Sequence, residues 1–92
     1  MNNLELKRLI AEYQNYNMKA FILIHNNFSK LIYYYANRIG DDDAVQELNL
    51  FLVELLFKID LEKFKDNDAF DLKNYIVACI RNQYIMFSQK KE

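Results

Sequence analysis

Residues 41–50 read DDDAVQELNL, and this stretch predicts the start of an amphipathic helix that runs to about Ile59. Three aspartates suit the N-terminus of a helix, where unpaired amides and the macrodipole favour negative charge. At about 100° per residue, the apolar and polar side chains then fall on opposite sides. The apolar side, which we expect to face a core, consists of Val45, Leu48, Leu52, Leu55 and Ile59. The opposite side carries Asp43, Gln46, Glu47, Leu50 and Glu54.

The polar side of this helix is not purely polar. Leu50, and Phe57 further along, interrupt it with large apolar groups. A face that only meets water explains the carboxylates but gives no reason for these two residues. Apolar residues surrounded by carboxylates and amides are typical of a docking surface.

Three further helices are predicted around this one. The chain has no proline and one glycine, too few turn residues for a sandwich or barrel. A first helix is predicted over Asn3–Tyr13, a second from the cap Asn17 to Ile39, and a fourth after the cap Asp68. Gly40 would end the second helix in the left-handed conformation. The expected core positions are Leu6, Leu9 or Ile10, and Tyr13 in the first helix; Phe21, Ile24, Phe28, Leu31, Tyr35 and Ile39 in the second; and Ala69, Leu72, Ile76, Cys79, Ile80 and Phe87 in the fourth. The fold class is therefore all-α, a compact four-helix domain.

Composition limits the function. Ninety-two residues suffice for one domain. Cys79 is the only cysteine and His25 the only histidine, so neither a disulfide nor a zinc site is expected. We expect no cofactor and no enzymatic activity, because no glycine-rich phosphate loop or nucleophile–base pair occurs. The sequence shows no signal peptide or membrane-spanning stretch, which predicts a cytoplasmic protein without a membrane partner.

Charge is distributed unevenly along the chain. Residues 1–40 have a net charge of +3, residues 41–72 of −7, and residues 73–92 of +3, within a total of −1. An acidic middle and a basic end suit two partners of opposite charge, although chance clustering would give the same pattern. Tyr33-Tyr34-Tyr35 adds an aromatic run that wraps around the second helix, so one ring can join the core while the others line the surface.

Two motifs resemble region 2 of bacterial sigma factors of the sigma-70 family. Asp43-x-x-Gln46-Glu47, followed by alternating leucines, resembles the helix that binds core RNA polymerase. Residues 75–82, YIVACIRN, resemble the helix that reads the promoter −10 element. The motifs stand in the family's order and together cover about residues 21–91. The chain is similar to extracytoplasmic-function sigma factors and to clostridial sigma factors of toxin and bacteriocin genes.

This resemblance implies a role in transcription initiation. Residues 1–92 would form a sigma region 2 domain, with no region 4 helix-turn-helix domain for the −35 element. The third helix would bind the clamp coiled coil of the largest polymerase subunit. The implied polymerase-binding residues are Asp43, Gln46, Glu47, Leu50 and Glu54. The loop and fourth helix would recognise and help melt the −10 element by contacting its non-template strand. The implied DNA-binding residues are Phe64, Lys65, Asn67, Tyr75, Arg81, Asn82, Lys90 and Lys91. The family also implies an anti-sigma factor as a further partner.

Some residues depart from the family pattern or have a simpler explanation. Phe64 and Tyr75 equally suit the core and its edge, and the chain has Met86 and Gln89-Lys90 where many relatives have an aspartate and paired arginines. Two other functions therefore stay open. A small helical adaptor or anti-sigma-like regulator would use the acidic face to bind a protein and would never touch DNA. A self-assembling structural protein would use the same helix for dimerisation.

Overall fold

The computed structural model describes residues 1–64 and 71–90, and over these residues the chain forms four α-helices and no strand. The helices are α1 (Asn3–Gln14), α2 (Met18–Ile39), α3 (Ala44–Lys58) and α4 (Leu72–Lys90), with a short 3-10 helix at Leu61–Lys63. Each helix packs against the other three. The predicted all-α, four-helix architecture is confirmed.

The ends of α1 and α2 follow from local chemistry. The side-chain oxygen of Asn2 accepts a hydrogen bond of 2.8 Å from the Glu5 amide, and that of Asn17 accepts one of 3.2 Å from the Lys19 amide. Gly40 ends α2 with φ of 76°, and its amide donates to the Ala36 carbonyl at 3.1 Å. A Cβ at Gly40 would meet no atom within 4 Å, so the left-handed backbone alone requires glycine here.

The aspartates that cap the N-termini of α3 and α4 are only partly the ones that the sequence predicted. Before α3, the Asp41 carboxylate accepts from the Asp43 amide at 3.0 Å, whereas the Asp43 side chain makes no capping hydrogen bond. Before α4, the Asp71 carboxylate accepts from the Lys73 amide at 2.9 Å, so the helix begins at Leu72. The prediction that α4 starts after Asp68 is therefore wrong, because the Asp71 carboxylate is the one that accepts from an amide in the first turn of α4. Asp68 itself lies outside the described residues.

The core is built from one buried stripe on each helix. Its residues are Leu6, Leu9, Ile10 and Tyr13 of α1; Ala20, Ile24, Phe28, Ile32 and Ala36 of α2; Ala44, Leu48, Leu52 and Leu56 of α3; and Leu72, Ile76 and Ile80 of α4, with Ile59 after α3. The α1 prediction is confirmed in full. Among the other predicted core residues, Val45, Leu55, Cys79 and Phe87 are half-buried, and Ala69 lies outside the described residues.

The predicted core stripe of α2 is correct at its centre and wrong towards both ends. Ile24 and Phe28 are buried as expected, but Phe21, Leu31, Tyr35 and Ile39 are only half-buried, at the margin of the core. Towards the ends, the buried positions are Ala20, Ile32 and Ala36. Alanine contributes little to a hydrophobic pattern, yet its small side chain lets neighbouring helices approach closely, so the pattern pointed to the larger residues beside it.

The Gln14 side chain of α1 donates hydrogen bonds to carbonyl groups at the C-terminal end of α3. The Gln14 amide nitrogen donates to the Leu56 carbonyl at 3.0 Å and to the Ile59 carbonyl at 2.8 Å. The last carbonyls of a helix have no partner within the helix, so Gln14 supplies donors that α3 lacks. The contact joins residues that lie 42 and 45 positions apart.

Replacing Gln14 by alanine should therefore lower the free energy of unfolding by about 1–3 kcal/mol, the cost of leaving partly buried carbonyls unpaired. Urea denaturation followed by circular dichroism measures this change. Gln46→Ala is the matched control, because Gln46 is exposed on α3 and should cost no more than about 0.5 kcal/mol. Equal costs for the two variants would show that the Gln14 contacts do not stabilise the fold.

Candidate docking face and candidate nucleic-acid interface

The docking face of α3 comprises Asp43, Gln46, Glu47, Leu50 and Glu54. All five side chains are exposed, and Leu50 exposes 54% of its surface. On the other side of the same helix, Leu48, Leu52 and Leu56 are buried. No lysine or arginine occurs between residues 39 and 57, so this surface has only negative charges on its own helix. The structure thus brings the five predicted residues onto one acidic surface with an apolar residue within it.

A groove of about 420 Å³ runs beside the docking face, between α2 and α3. Leu50 and Gln46 form one side, and Phe21 and His25 the other. The His25 Nε2 and the Asn49 Oδ1 lie 2.9 Å apart across the two helices, and the His25 ring stacks on Phe21 with centroids 5.7 Å apart. His25 is thus a packing and hydrogen-bonding residue. Within residues 1–64 and 71–89, no cluster of three potential metal ligands occurs.

The predicted DNA-binding residues fall into two groups. Phe64 and Tyr75 lie together, with ring centroids 5.1 Å apart, and both are half-buried. They border a groove of about 290 Å³ that Lys58 and Lys63 also line. Arg81 and Asn82 are exposed further along α4. Lys65, Asn67 and Lys91 lie outside the described residues, as does the side chain of Lys90.

Two interactions fix the Phe64–Tyr75 pair in place. The Lys7 ammonium donates to the Phe64 carbonyl at 3.0 Å, which ties the segment after α3 to α1. One turn along α4, a hydrogen bond with the Cys79 thiol raises the pKa of Tyr75, and Coulombic interaction and burial act in the same direction. Cys79 therefore has a packing and hydrogen-bonding role.

A cluster of tyrosines around Arg38 joins α2 to α4, and sequence reasoning missed it. The Arg38 Nε donates to the Tyr84 hydroxyl at 3.2 Å, and its guanidinium lies 5.7 Å from the centre of the Tyr34 ring. The Tyr35 and Tyr84 rings stack with centroids 4.7 Å apart. The hydrogen bond from Arg38 lowers the pKa of Tyr84, because a cation stabilises the phenolate. Tyr35 is half-buried while Tyr33 and Tyr34 are exposed, as the wrapping of this run predicted.

Comparison of the chain with protein-family models, with curated proteins and with solved structures gives no match. Across the described residues, every helix is too short or too polar to cross a membrane. Three features of the surface bear on function: an acidic docking face on α3, an aromatic groove at Phe64 and Tyr75, and a tyrosine–arginine cluster on α2 and α4.

Proposed function

We propose that this chain acts as the region 2 domain of a sigma factor. In this role α3 binds the clamp coiled coil of core RNA polymerase, and α4 with the segment before it contacts the non-template strand of the −10 element. The observation that carries the proposal is the exposed Leu50 within the acidic docking face. The chain binds the polymerase and positions the promoter DNA, while the polymerase performs the chemistry.

The docking face has the chemistry needed for an arginine-rich helical partner. The carboxylates of Asp43, Glu47 and Glu54 are exposed and can accept charge-assisted hydrogen bonds from guanidinium groups. Leu50 supplies an apolar anchor, and the adjoining groove extends its apolar surface to Phe21 and Val53. An apolar anchor surrounded by polar contacts is the usual arrangement of a binding hot spot.

The proposed DNA side has the opposite charge. Helix α4 contains Lys73, Arg81 and Lys90 and no carboxylate. Arg81 and Asn82 are exposed and available to phosphates and base edges. The aromatic groove at Phe64 and Tyr75 is lined by Lys58, Lys63 and Asp60, so it places two rings beside a net positive charge of one, a combination that suits an unstacked base and its phosphate. Acidic and basic surfaces on different helices therefore support two partners of opposite charge.

A two-step titration tests this function. Fluorescently labelled chain is first titrated with core RNA polymerase, and the complex is then titrated with a −10 non-template single strand at about 50 and 200 mM salt. The proposal predicts polymerase binding and salt-sensitive binding of the strand by the complex. Failure of the chain to bind polymerase contradicts the proposed function.

A second candidate function is that of an adaptor that binds a protein through α3 without touching DNA. The half-buried Phe64 and Tyr75 favour it, because rings that pack on each other at the edge of the core need no ligand. The same titration separates the two functions. A chain that binds polymerase but leaves the affinity of the complex for the strand unchanged is an adaptor.

A further inference from the structure

Helices α2 and α4 lack carboxylates along their whole lengths. Between them they contain Lys19, Lys30, Arg38, Lys73, Arg81 and Lys90. Helix α3 and the turn before it, in contrast, contain five carboxylates before the first lysine, Lys58. Helices α2 and α4 pack against each other, and the hydrogen bond from Arg38 to Tyr84 joins their C-terminal halves. The ionisable side chains of α2 and α4 are therefore cationic apart from histidine, tyrosine and cysteine, which favours anions along these two helices, while Asp41, Asp42 and Asp43 follow the end of α2.

The exposed side of α2 combines cations with aromatic rings in register. Lys30, Tyr34 and Arg38 follow one another at intervals of four residues, which places them along one side of a helix, and all three are exposed. Tyr33 follows Lys30 by three residues and therefore lies beside it, about 100° around the helix from Tyr34. Tyr33 exposes 53% of its surface and Tyr34 55%, so both rings are open to a ligand.

Arg38 holds part of this surface in a fixed arrangement. Its guanidinium donates to the Tyr84 hydroxyl at 3.2 Å and to the Tyr34 hydroxyl at 3.5 Å. An arginine has five N–H donors, so further donors remain for an anion. The Tyr34 and Tyr84 rings are thus held in place before a ligand arrives, which reduces the entropy that binding must overcome.

We propose that Tyr33, Tyr34, Arg38 and Tyr84, here called the tyrosine platform, bind single-stranded DNA. Bases stack on the exposed rings of Tyr33 and Tyr34, while Lys30, Arg38 and Arg81 contact phosphates. Stacking requires bases with free faces, which a single strand offers and a duplex does not. The inference goes beyond the proposed function, because it requires no polymerase and its α2 residues lie outside the two quoted motifs, the one that begins at Asp43 and the one at residues 75–82.

Fluorescence anisotropy with the full 92-residue chain tests the platform. The probe is a labelled oligodeoxythymidylate of roughly 12 nucleotides, within the range that single-strand binding sites cover. We expect a Kd below about 100 µM at about 50 mM salt, and weaker binding at about 200 mM salt. Tyr33→Ala and Tyr34→Ala should each weaken binding about tenfold through the loss of one stacked base. Lys30→Gln should reduce the slope of log K against log salt by about 0.7, the value for one phosphate contact on a single strand.

Three controls keep the result specific. Tyr33→Phe should retain affinity, because the ring remains. Tyr16→Ala should leave binding unchanged, since Tyr16 is 75% exposed but precedes the opposite end of α2. Leu50→Asp should bind the oligonucleotide normally while failing to bind polymerase, so failure of the platform and failure of the proposed function give different results.

Several outcomes would overturn the proposal. One is the lack of any anisotropy change at about 100 µM chain and low salt. Another is wild-type affinity of both alanine variants when circular dichroism shows them folded. A duplex that binds as tightly as the single strand would exclude base stacking, and tighter binding of oligouridylate would assign the platform to RNA instead.

Discussion

Replacing Leu50 by aspartate is expected to weaken the binding of core RNA polymerase by at least about 100-fold, the effect of losing a central hot-spot residue. Leu50 is 54% exposed within the docking face, so its side chain is free to enter a pocket on a partner. The substitution removes that anchor and places a carboxylate where the contact excludes water, which costs additional desolvation energy. Titration of labelled chain with core polymerase measures the change.

A matched substitution separates this effect from a general effect of charge. Leu4→Asp introduces the same group at a leucine that is 70% exposed in the first turn of α1 and is not part of the docking face. It should bind polymerase like the wild-type chain. Both variants should keep their thermal unfolding midpoints, because neither leucine belongs to the core. Wild-type affinity of Leu50→Asp would exclude α3 as the polymerase-binding helix.

The docking face could be predicted from sequence because it depends only on helical geometry. Once α3 is taken as a helix, the period of 3.6 residues places Leu48 and Leu52 opposite Leu50 whatever the neighbouring helices do. The structure places these residues as expected, with the first two buried and Leu50 exposed. The function of this face remains a proposal, since a periodic pattern shows which side chains point outward but not what they bind.

Contacts between distant helices could not be predicted in this way. Gln14 reaches Leu56 across 42 positions, and Arg38 reaches Tyr84 across 46. No local pattern marks either residue, because a glutamine or an arginine on a helix is ordinarily a solvated side chain. The tyrosine platform therefore became visible only when packing brought α2 and α4 together. The run of three tyrosines was the only signal in the sequence that pointed to it.

The buried stripe of α2 carries much of the contact between the four helices. Helix α2 packs against α1, α3 and α4, so the residues at the centre of its buried stripe touch the common core. Phe28 is the largest of them and exposes only 2% of its surface. Two alanines, Ala20 and Ala36, share the stripe with it and add little volume. Much of the apolar contact that α2 makes with the other helices therefore depends on Phe28 and its two isoleucine neighbours in the stripe.

Phe28→Ala should accordingly lower the free energy of unfolding by about 3–5 kcal/mol, through lost transfer energy and the cavity left behind. A domain of this length is expected to have a total stability of about 5–14 kcal/mol, so the change removes a large share of it. The melting temperature should fall by at least about 12 °C. Urea denaturation and thermal melts followed by circular dichroism measure both quantities.

Leu23→Ala is the control, because Leu23 lies on the same helix but is 51% exposed, and it should cost no more than about 0.5 kcal/mol. Should Phe28→Ala not fold at all, Phe28→Leu provides a milder test with an expected cost of roughly 1–1.5 kcal/mol. If the Phe28 variants were no less stable than Leu23→Ala, the four helices could not be sharing the core described here.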